Sequence, residues 1–359
     1  MKKVTCFFAS LLAVFTLNAT VRTVSNSPAT LAQFNTIQAA IAASAVSGDT
    51  VLVHGSPNQY VGFTISNKQI TIIGPGWSPD KNLGFTASVQ QSAIVGTASS
   101  NTEIQGLVFV SSLDINTAPH PDNIKIIRNH FAGVRIHLHQ SSTTYTGFLF
   151  EGNYFDNAQI YAEPANTTYT NFLFQNNWFT ETGCCWSGNI HGFTNSTGVL
   201  FNHNLWSSAG SGTRDVAAGN ARFLNFTNNI FIRRNAANSV SNTTFTNNLT
   251  FNAGNNTPWA ANGNVNSGGN IENTDPQMTT SVLAGVVSAI SDFIIVTGPA
   301  NNAGSDGKDL GLLYDATGSL NWVNCRNSRL PRIFSMNIIN PTVNSGGTLS
   351  VEVNARKSN

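Results

Sequence analysis

The sequence predicts an all-β solenoid, a parallel β-helix, on three observations. One short phrase recurs six times between about 123 and 250, always around an Asn: Ile126-Ile-Arg-Asn129-His-Phe131, Phe150-Glu-Gly-Asn153-Tyr-Phe155, Phe174-Gln-Asn-Asn177-Trp-Phe179, Phe201-Asn-His-Asn204-Leu-Trp206, Phe226-Thr-Asn-Asn229-Ile-Phe231 and Phe245-Thr-Asn-Asn248-Leu-Thr250. The anchors step by 24, 24, 27, 25 and 19 residues, a period of solenoid length. Between them lie Thr, Asn, Gly, Ser and β-branched residues with no ten-residue helical pattern, which excludes a helix-bearing horseshoe repeat.

In such a coil equal positions stack, so Asn129, Asn153, Asn177, Asn204, Asn229 and Asn248 are expected to form a hydrogen-bonded ladder. The Asn amide both donates and accepts, and the residue tolerates a left-handed corner. Three and five residues earlier stand Ile126 and Ile124, Phe150 and Phe148, Phe174 and Phe172, Phe201 and Val199, Phe226 and Leu224, an alternation that marks the inward stripe.

Residues 1–19 carry Lys2 and Lys3, an apolar run and Leu17-Asn18-Ala19, the pattern of a secretory leader too short to span a bilayer. The chain is therefore expected to be exported, secreted or held at the cell surface, with no transmembrane segment. Removal of Cys6 with the leader leaves Cys184, Cys185 and Cys325, whose spacing fits no structural zinc site. Only 10% of the 359 residues are charged and the net charge is +1, which argues against a nucleic-acid partner.

Within 34–45, Phe34, Ile37, Ala40, Ile41 and Ala45 recur at helical spacing, one amphipathic helix suited to cap the exposed end of a solenoid. Short strands follow at 50–53, 60–65 and 69–74. Taken together, Phe34-Asn-Thr-Ile-Gln-Ala-Ala-Ile41, Gly48-Asp-Thr-Val51, Ile70-Thr-Ile-Ile-Gly74, Ile104-Gln-Gly-Leu-Val-Phe109, the Asn coils and the Gly/Asn/Asp-rich stretch 298–311 resemble bacterial secreted right-handed β-helix proteins of the pectin-lyase-like superfamily. The resemblance implies the fold over most of the mature chain. It says little of activity, since that superfamily spans lyases, hydrolases, epimerases and adhesins. Neither the multi-carboxylate calcium cluster of its lyases nor the close Asp pairs of its polygalacturonase-like hydrolases is evident; Asp306 and Asp309 read as turn-forming carboxylates, with a surface calcium ion as the alternative.

The expected organisation is a leader at 1–19, one β-helix domain at 20–320 and a strand-like appendage at 321–359, as a monomer. Stretch 298–311 would close the solenoid. The appendage, with Met336-Asn-Ile-Ile339 and Thr348-Leu-Ser-Val-Glu-Val353, would cover Leu149, Leu173 and Leu200, which the alternation leaves outward.

Stacked coils lie about 4.8 Å apart, which turns spacing into adjacency. Six residues beyond Asn129 the chain reads Arg135-Ile-His137-Leu-His139, and beyond Asn153 it reads Gln159-Ile-Tyr161-Ala-Glu163. With Gly106 at the preceding corner, Ser112-Leu-Asp114-Ile-Asn116 precedes both, and Gly183, Cys185 and Ser187 would follow. The outward files are then Asp114, His137, Tyr161; Asn116, His139, Glu163; and Ser112, Arg135, Gln159.

This patch suits uronate β-elimination: Arg135 to neutralise the substrate carboxylate, His137 or His139 as base, Tyr161 as acid, and Asp114 or Glu163 to orient an imidazole. Two alternatives stand beside it, a glycosidase pair of Asp114 and Glu163 and a metal site of His137, His139 and Glu163. His130, Tyr154 and Trp178 form an aromatic file read as outward, a stacking platform for sugar rings, with Gln159 as a further contact. The expected partner is thus a polysaccharide or cell-surface glycan, the alternative function being a non-catalytic surface or matrix glycan-binding protein. Loops 141–146, 164–168 and 188–198 lie on one side and could wall a groove.

Overall fold

A computed structural model describes residues 19–44, 47–77, 85–182, 187–208, 213–278, 294–313, 331–339 and 346–357. The expected leader, apart from Ala19, and Cys184, Cys185 and Cys325 lie outside them.

One coil shows how the sequence builds the rest. Leu149–Glu151 is a strand of a first sheet. Gly152 turns the chain in the left-handed region (φ 64°), and Asn153 follows at the corner. Tyr154–Asp156 joins a second sheet, Asn157 turns again (φ 48°), and Gln159–Ala162 joins a third. Repetition gives three sheets of 11, 8 and 7 strands, with parallel pairing throughout, the parallel β-helix the sequence predicts.

Asn129, Asn153, Asn177, Asn204, Asn229 and Asn248 are all fully buried. Each Oδ1 accepts the backbone N–H of the preceding rung, as Asn177 Oδ1 does from Asn153 N at 2.9 Å. Asn270 adds a rung beyond the repeats legible in the sequence, accepting from Asn248 N at 2.9 Å. Two details differ from expectation. The left-handed residue is the one before each ladder Asn, namely Arg128, Gly152, Asn176, His203, Asn228, Asn247 and Gly269, so the ladder residue is chosen for its amide and not for its backbone. Leu107, not Gly106, holds the preceding rung: its N–H donates to Asn129 Oδ1 at 3.0 Å.

The inward stripe packs as rings stacked coil upon coil. Phe150, Phe174, Phe201 and Phe226 follow one another at 4.7, 4.3 and 4.8 Å between centroids. Each fully buried ring contributes roughly 1.5–3 kcal/mol, so the stack rather than any strand propensity holds the coil.

The expected helix is Ile37–Ala43, N-capped by Thr36, whose Oγ1 accepts from Ala39 N at 3.1 Å. It buries Ile37, Ala40 and Ile41. Val21–Val24 pairs with Thr50–Val53 as the outermost strand of the first sheet.

The C-terminal portion departs from the sequence reading. Residues 298–311 do not simply close the solenoid; segment 294–313 runs back along it as a strap. Its backbone is held by the corner residues: Ala303 O accepts from Asn247 Nδ2 (2.9 Å), Ser305 N donates to Asn228 Oδ1 (2.8 Å) and Leu313 N donates to Asn176 Oδ1 (2.7 Å). Asp306 faces His203 Nε2 at 3.2 Å, and Asp309 Oδ1 accepts from Asn302 N at 2.8 Å. The two carboxylates considered for calcium thus shape turns and the strap. The predicted terminal strands exist as an antiparallel hairpin, Pro331–Ile338 with Val351–Lys357. Ile338, Ile339, Leu349 and Val353 on it are 48–62% exposed, and Leu149, Leu173 and Leu200 remain partly exposed, so among the described residues no cover over that leucine file is seen.

Candidate active site on the third sheet

The outer face of the third sheet carries the patch. Register pairs Asp114 with His137 and His137 with Tyr161, and Arg135 with Gln159, so these files lie as the coil spacing predicts. The following coil does not contribute Gly183, Cys185 and Ser187: Ile160 pairs with Ile190 and Tyr161 with His191. Residues inserted after Asn177 shift the sheet residue in that coil, and His191 takes the place expected for Cys185. A signal for it was present, since Arg135-Ile-His137, Gln159-Ile-Tyr161 and Asn189-Ile-His191 share one pattern of polar residue, Ile and ring.

His137 Nδ1 and Asp114 Oδ1 are 2.6 Å apart, with side chains 24% and 17% exposed. The other carboxylate oxygen accepts from Gln91 Nε2 at 2.7 Å, a contact from a residue the sequence analysis did not select. Burial pushes the Asp114 carboxyl up, but the hydrogen bonds from His137 and Gln91 more than reverse this and hold it below the usual carboxylate range. A carboxylate on Nδ1 fixes the imidazole so that Nε2 is its basic nitrogen.

Around this pair the other groups close in. Arg135 Cζ sits 4.4 Å over the Tyr161 ring. The His137 ring lies 6.0 Å from Tyr161 and 5.0 Å from His139. Tyr161 donates its hydroxyl to Glu163 Oε2 at 2.7 Å, and the other oxygen of Glu163 bonds His191 Nε2. The bond to Glu163 raises the Tyr161 hydroxyl above its usual value, and the same bond, with His191, lowers Glu163. His139 is kept below its ordinary value, first by burial and then by His137, so it is neutral near pH 7. Asn116 Nδ2 lies 3.4 Å from His139 Nε2.

Other expectations for this face fail on burial and on geometry. Gln159 is 1% exposed, with Nε2 bound to Gly188 O at 3.0 Å beneath the neighbouring coil, which conflicts with a substrate contact. His130, Tyr154 and Trp178 do stack outward on the second sheet, at 4.6 and 4.3 Å. Trp178 is nonetheless fully buried, packed with Trp77, Leu310 and Leu312 in a second apolar core beneath the strap, and Trp77 lies 5.5 and 5.1 Å from His130 and Tyr154. The file anchors the strap instead of offering a sugar platform. Among the described residues no group of three or more His, Cys, Asp or Glu is placed to hold a metal ion, which removes the reading of His137, His139 and Glu163 as ligands.

The wall loops are ordered as a further small sheet of Thr144–Thr146, Thr168–Thr170 and Ser196–Thr197. Tyr145 and Tyr169 pin it inward, donating to Ile115 O and Leu138 O at 2.8 Å each.

No protein-family model and no curated protein matches the chain. Among solved structures it is similar to the PL6 family alginate lyase AlyGC, at 12% identity over 58% of this chain and 36% of that one, with a TM-score of 0.34. The chain thus spans well under two thirds of that enzyme's length. Among the described residues no helix is long and apolar enough to cross a membrane.

Proposed function

We propose that this is an exported, carbohydrate-active β-helix that cleaves an acidic polysaccharide by β-elimination on the outer face of the third sheet. The observation that carries the proposal is the 2.6 Å Asp114–His137 hydrogen bond set beside Arg135 and Tyr161. Arg135 pairs with the uronate carboxylate and acidifies the proton on the adjacent carbon. His137 Nε2 takes that proton, the carbon electrons form the new double bond, and the glycosidic C–O bond on the neighbouring carbon breaks. Tyr161, kept protonated by its bond to Glu163, gives its proton to the leaving oxygen. The Arg135 cation over the ring favours the phenolate that remains.

Hydrolysis by Asp114 and Glu163 fits less well. A glycosidase needs one carboxyl raised so that it is protonated at the working pH, and both of these are lowered. Non-catalytic glycan binding is the second reading, favoured by the way Glu163 already satisfies both Tyr161 and His191.

A panel of uronate polymers, assayed for ultraviolet absorbance of unsaturated ends and for reducing sugar, tests the assignment with His137→Ala as control. Loss of about 10²–10⁴ in rate is expected on removing the base. Unchanged cleavage by H137A would remove the site. Glycan retention without any cleavage by the wild type would select the binding reading.

A further inference from the structure

We infer that the polymer taken at this face carries its carboxylates singly, each separated by an uncharged sugar, so that the substrate is an alternating uronate copolymer and not a polyuronate; this rests on the elimination reading above. The seven strands of the third sheet contain one Lys or Arg, and that is Arg135. Asp114 stands one coil to its N-terminal side, in register with His137, and Glu163 follows Tyr161 one coil to the other side. The face therefore holds one guanidinium between two carboxylates.

Both carboxylates stay ionised. Burial raises Asp114, but its bonds from His137 and Gln91 prevail, and Tyr161 and His191 lower Glu163. A uronate seated on Arg135 meets an opposite charge. A second carboxylate on either adjoining sugar would meet a like charge within a coil spacing of about 5 Å, where repulsion at a partly buried surface is large enough to discriminate tenfold or more. The specificity thus comes from what the face repels as much as from what it binds.

Beyond Asp114 the strands of this face bring no second cation. Two coils toward the N-terminus from His137, about 10 Å at about 4.8 Å per coil, the face opens into a groove of about 280 Å³ lined by Gln38, Thr64, Gln91, Ala93 and Asp114 among others. Apart from the Asp114 carboxylate, its polar side chains are the amides of Gln38 and Gln91 and the hydroxyls of Thr64 and Ser92. Gln38 Oε1 accepts from Thr64 N at 2.7 Å, and Gln91 Nε2 donates to Asp114 Oδ2 at 2.7 Å, so both amides are anchored at the groove. Amides and hydroxyls give a sugar in this groove hydrogen bonds but no positive charge to hold a further carboxylate. Lys68, a nearby cation, is spent on Ile41 O and Ser44 O, both at 3.1 Å.

The test compares kcat/KM of the full chain on unsulfated hyaluronan, which alternates glucuronate with a neutral sugar, and on polygalacturonate and alginate. Hyaluronan should be cleaved at least about tenfold better. Thr64→Lys, on an exposed site in the groove, adds the cation a second carboxylate needs and should narrow the ratio severalfold, with circular dichroism confirming the fold. Preferred cleavage of a polyuronate by the wild type, or a ratio unmoved by T64K, would overturn the inference while leaving elimination intact. Absence of unsaturated product from every polymer would instead sink the elimination reading, and this inference with it.

Discussion

Replacing Asn177 by Ala should cost this fold about 3–5 kcal/mol, more than most core truncations of similar size. Asn177 Oδ1 accepts from both the backbone N–H and Nδ2 of Asn153, at 2.9 Å each. Its Nδ2 donates to Phe150 O at 2.9 Å and to Asn204 Oδ1 at 3.0 Å. Asn153 Nδ2 keeps Ile126 O, and Asn204 Oδ1 keeps the Asn177 N–H, so those two partners are only weakened. The Asn153 N–H is different: buried and out of reach of water, it loses its acceptor. One orphaned buried donor costs about 1–3 kcal/mol, and three weakened or lost bonds add roughly 0.5–1.5 each, less what relaxation recovers. The assay is urea unfolding followed by tryptophan emission, since buried Trp178 and Trp206 flank the site, with amide exchange read at Asn153. A loss under about 1 kcal/mol with Asn153 still protected would refute the view that the ladder holds the corners.

Further outcomes follow from other contacts. Arg234, fully buried, faces Glu181 at 3.4 Å, so Arg234→Met should destabilise by about 3–5 kcal/mol and adding Glu181→Gln should recover most of it in thermal melts. Burial lowers His203 below its usual 6.5, with Asp306 only partly opposing this. Between that lowered value and 6.5 the unfolded chain binds more protons, so stability is full above about 6.5 and falls as pH drops below it; His203→Gln should flatten this slope in melts taken across that range. Leu310→Ala, on the strap's inner side against Trp178, should cost about 2–4 kcal/mol and shift Trp178 emission to the red. Asp114→Asn should lower cleavage of uronate polymer without lowering the melting midpoint by more than a few degrees, because the pair with His137 is partly exposed.

The fold was readable because its two strongest determinants are local in each repeat. An Asn that must both donate and accept, and a Phe or Ile three residues before it, announce a coil wherever they recur, and these residues are buried as the alternation predicts. The strap was not readable. Nothing in 294–313 repeats, and its partners, Asn176, His203, Asn228 and Asn247, look in the sequence like members of the coil they belong to. The outward aromatic file was given the right direction and the wrong environment for the same reason: alternation reports which side of a strand a ring is on, and cannot report that a distant segment covers that side.

The candidate site divides along a similar line, and the dividing quantity is coil length. Between Asn129, Asn153 and Asn177 the steps are 24 residues each, so a constant offset finds His137 and Tyr161 as true neighbours; Asp114 joins their file by register although its coil, from Leu107 to Asn129, is 22 residues long. The coil after Asn177 is 27 residues, which looks like an insertion of three. Register shows a larger rearrangement: Asn189, not Gly183, lies beside Gln159, so the path to the third sheet gains six residues and the return to Asn204 loses three. Side chains on the first and second sheets are untouched by such an exchange, because they sit within a few residues of the ladder. Those on the third sheet, reached only after the second corner, absorb all of it. The face that carries Asp114, His137 and Tyr161 is therefore the one where a solenoid can change its chemistry by altering loop length alone, while the ladder and the ring stacks that hold the coils stay in place. His191 beside Glu163 is what that freedom has produced here.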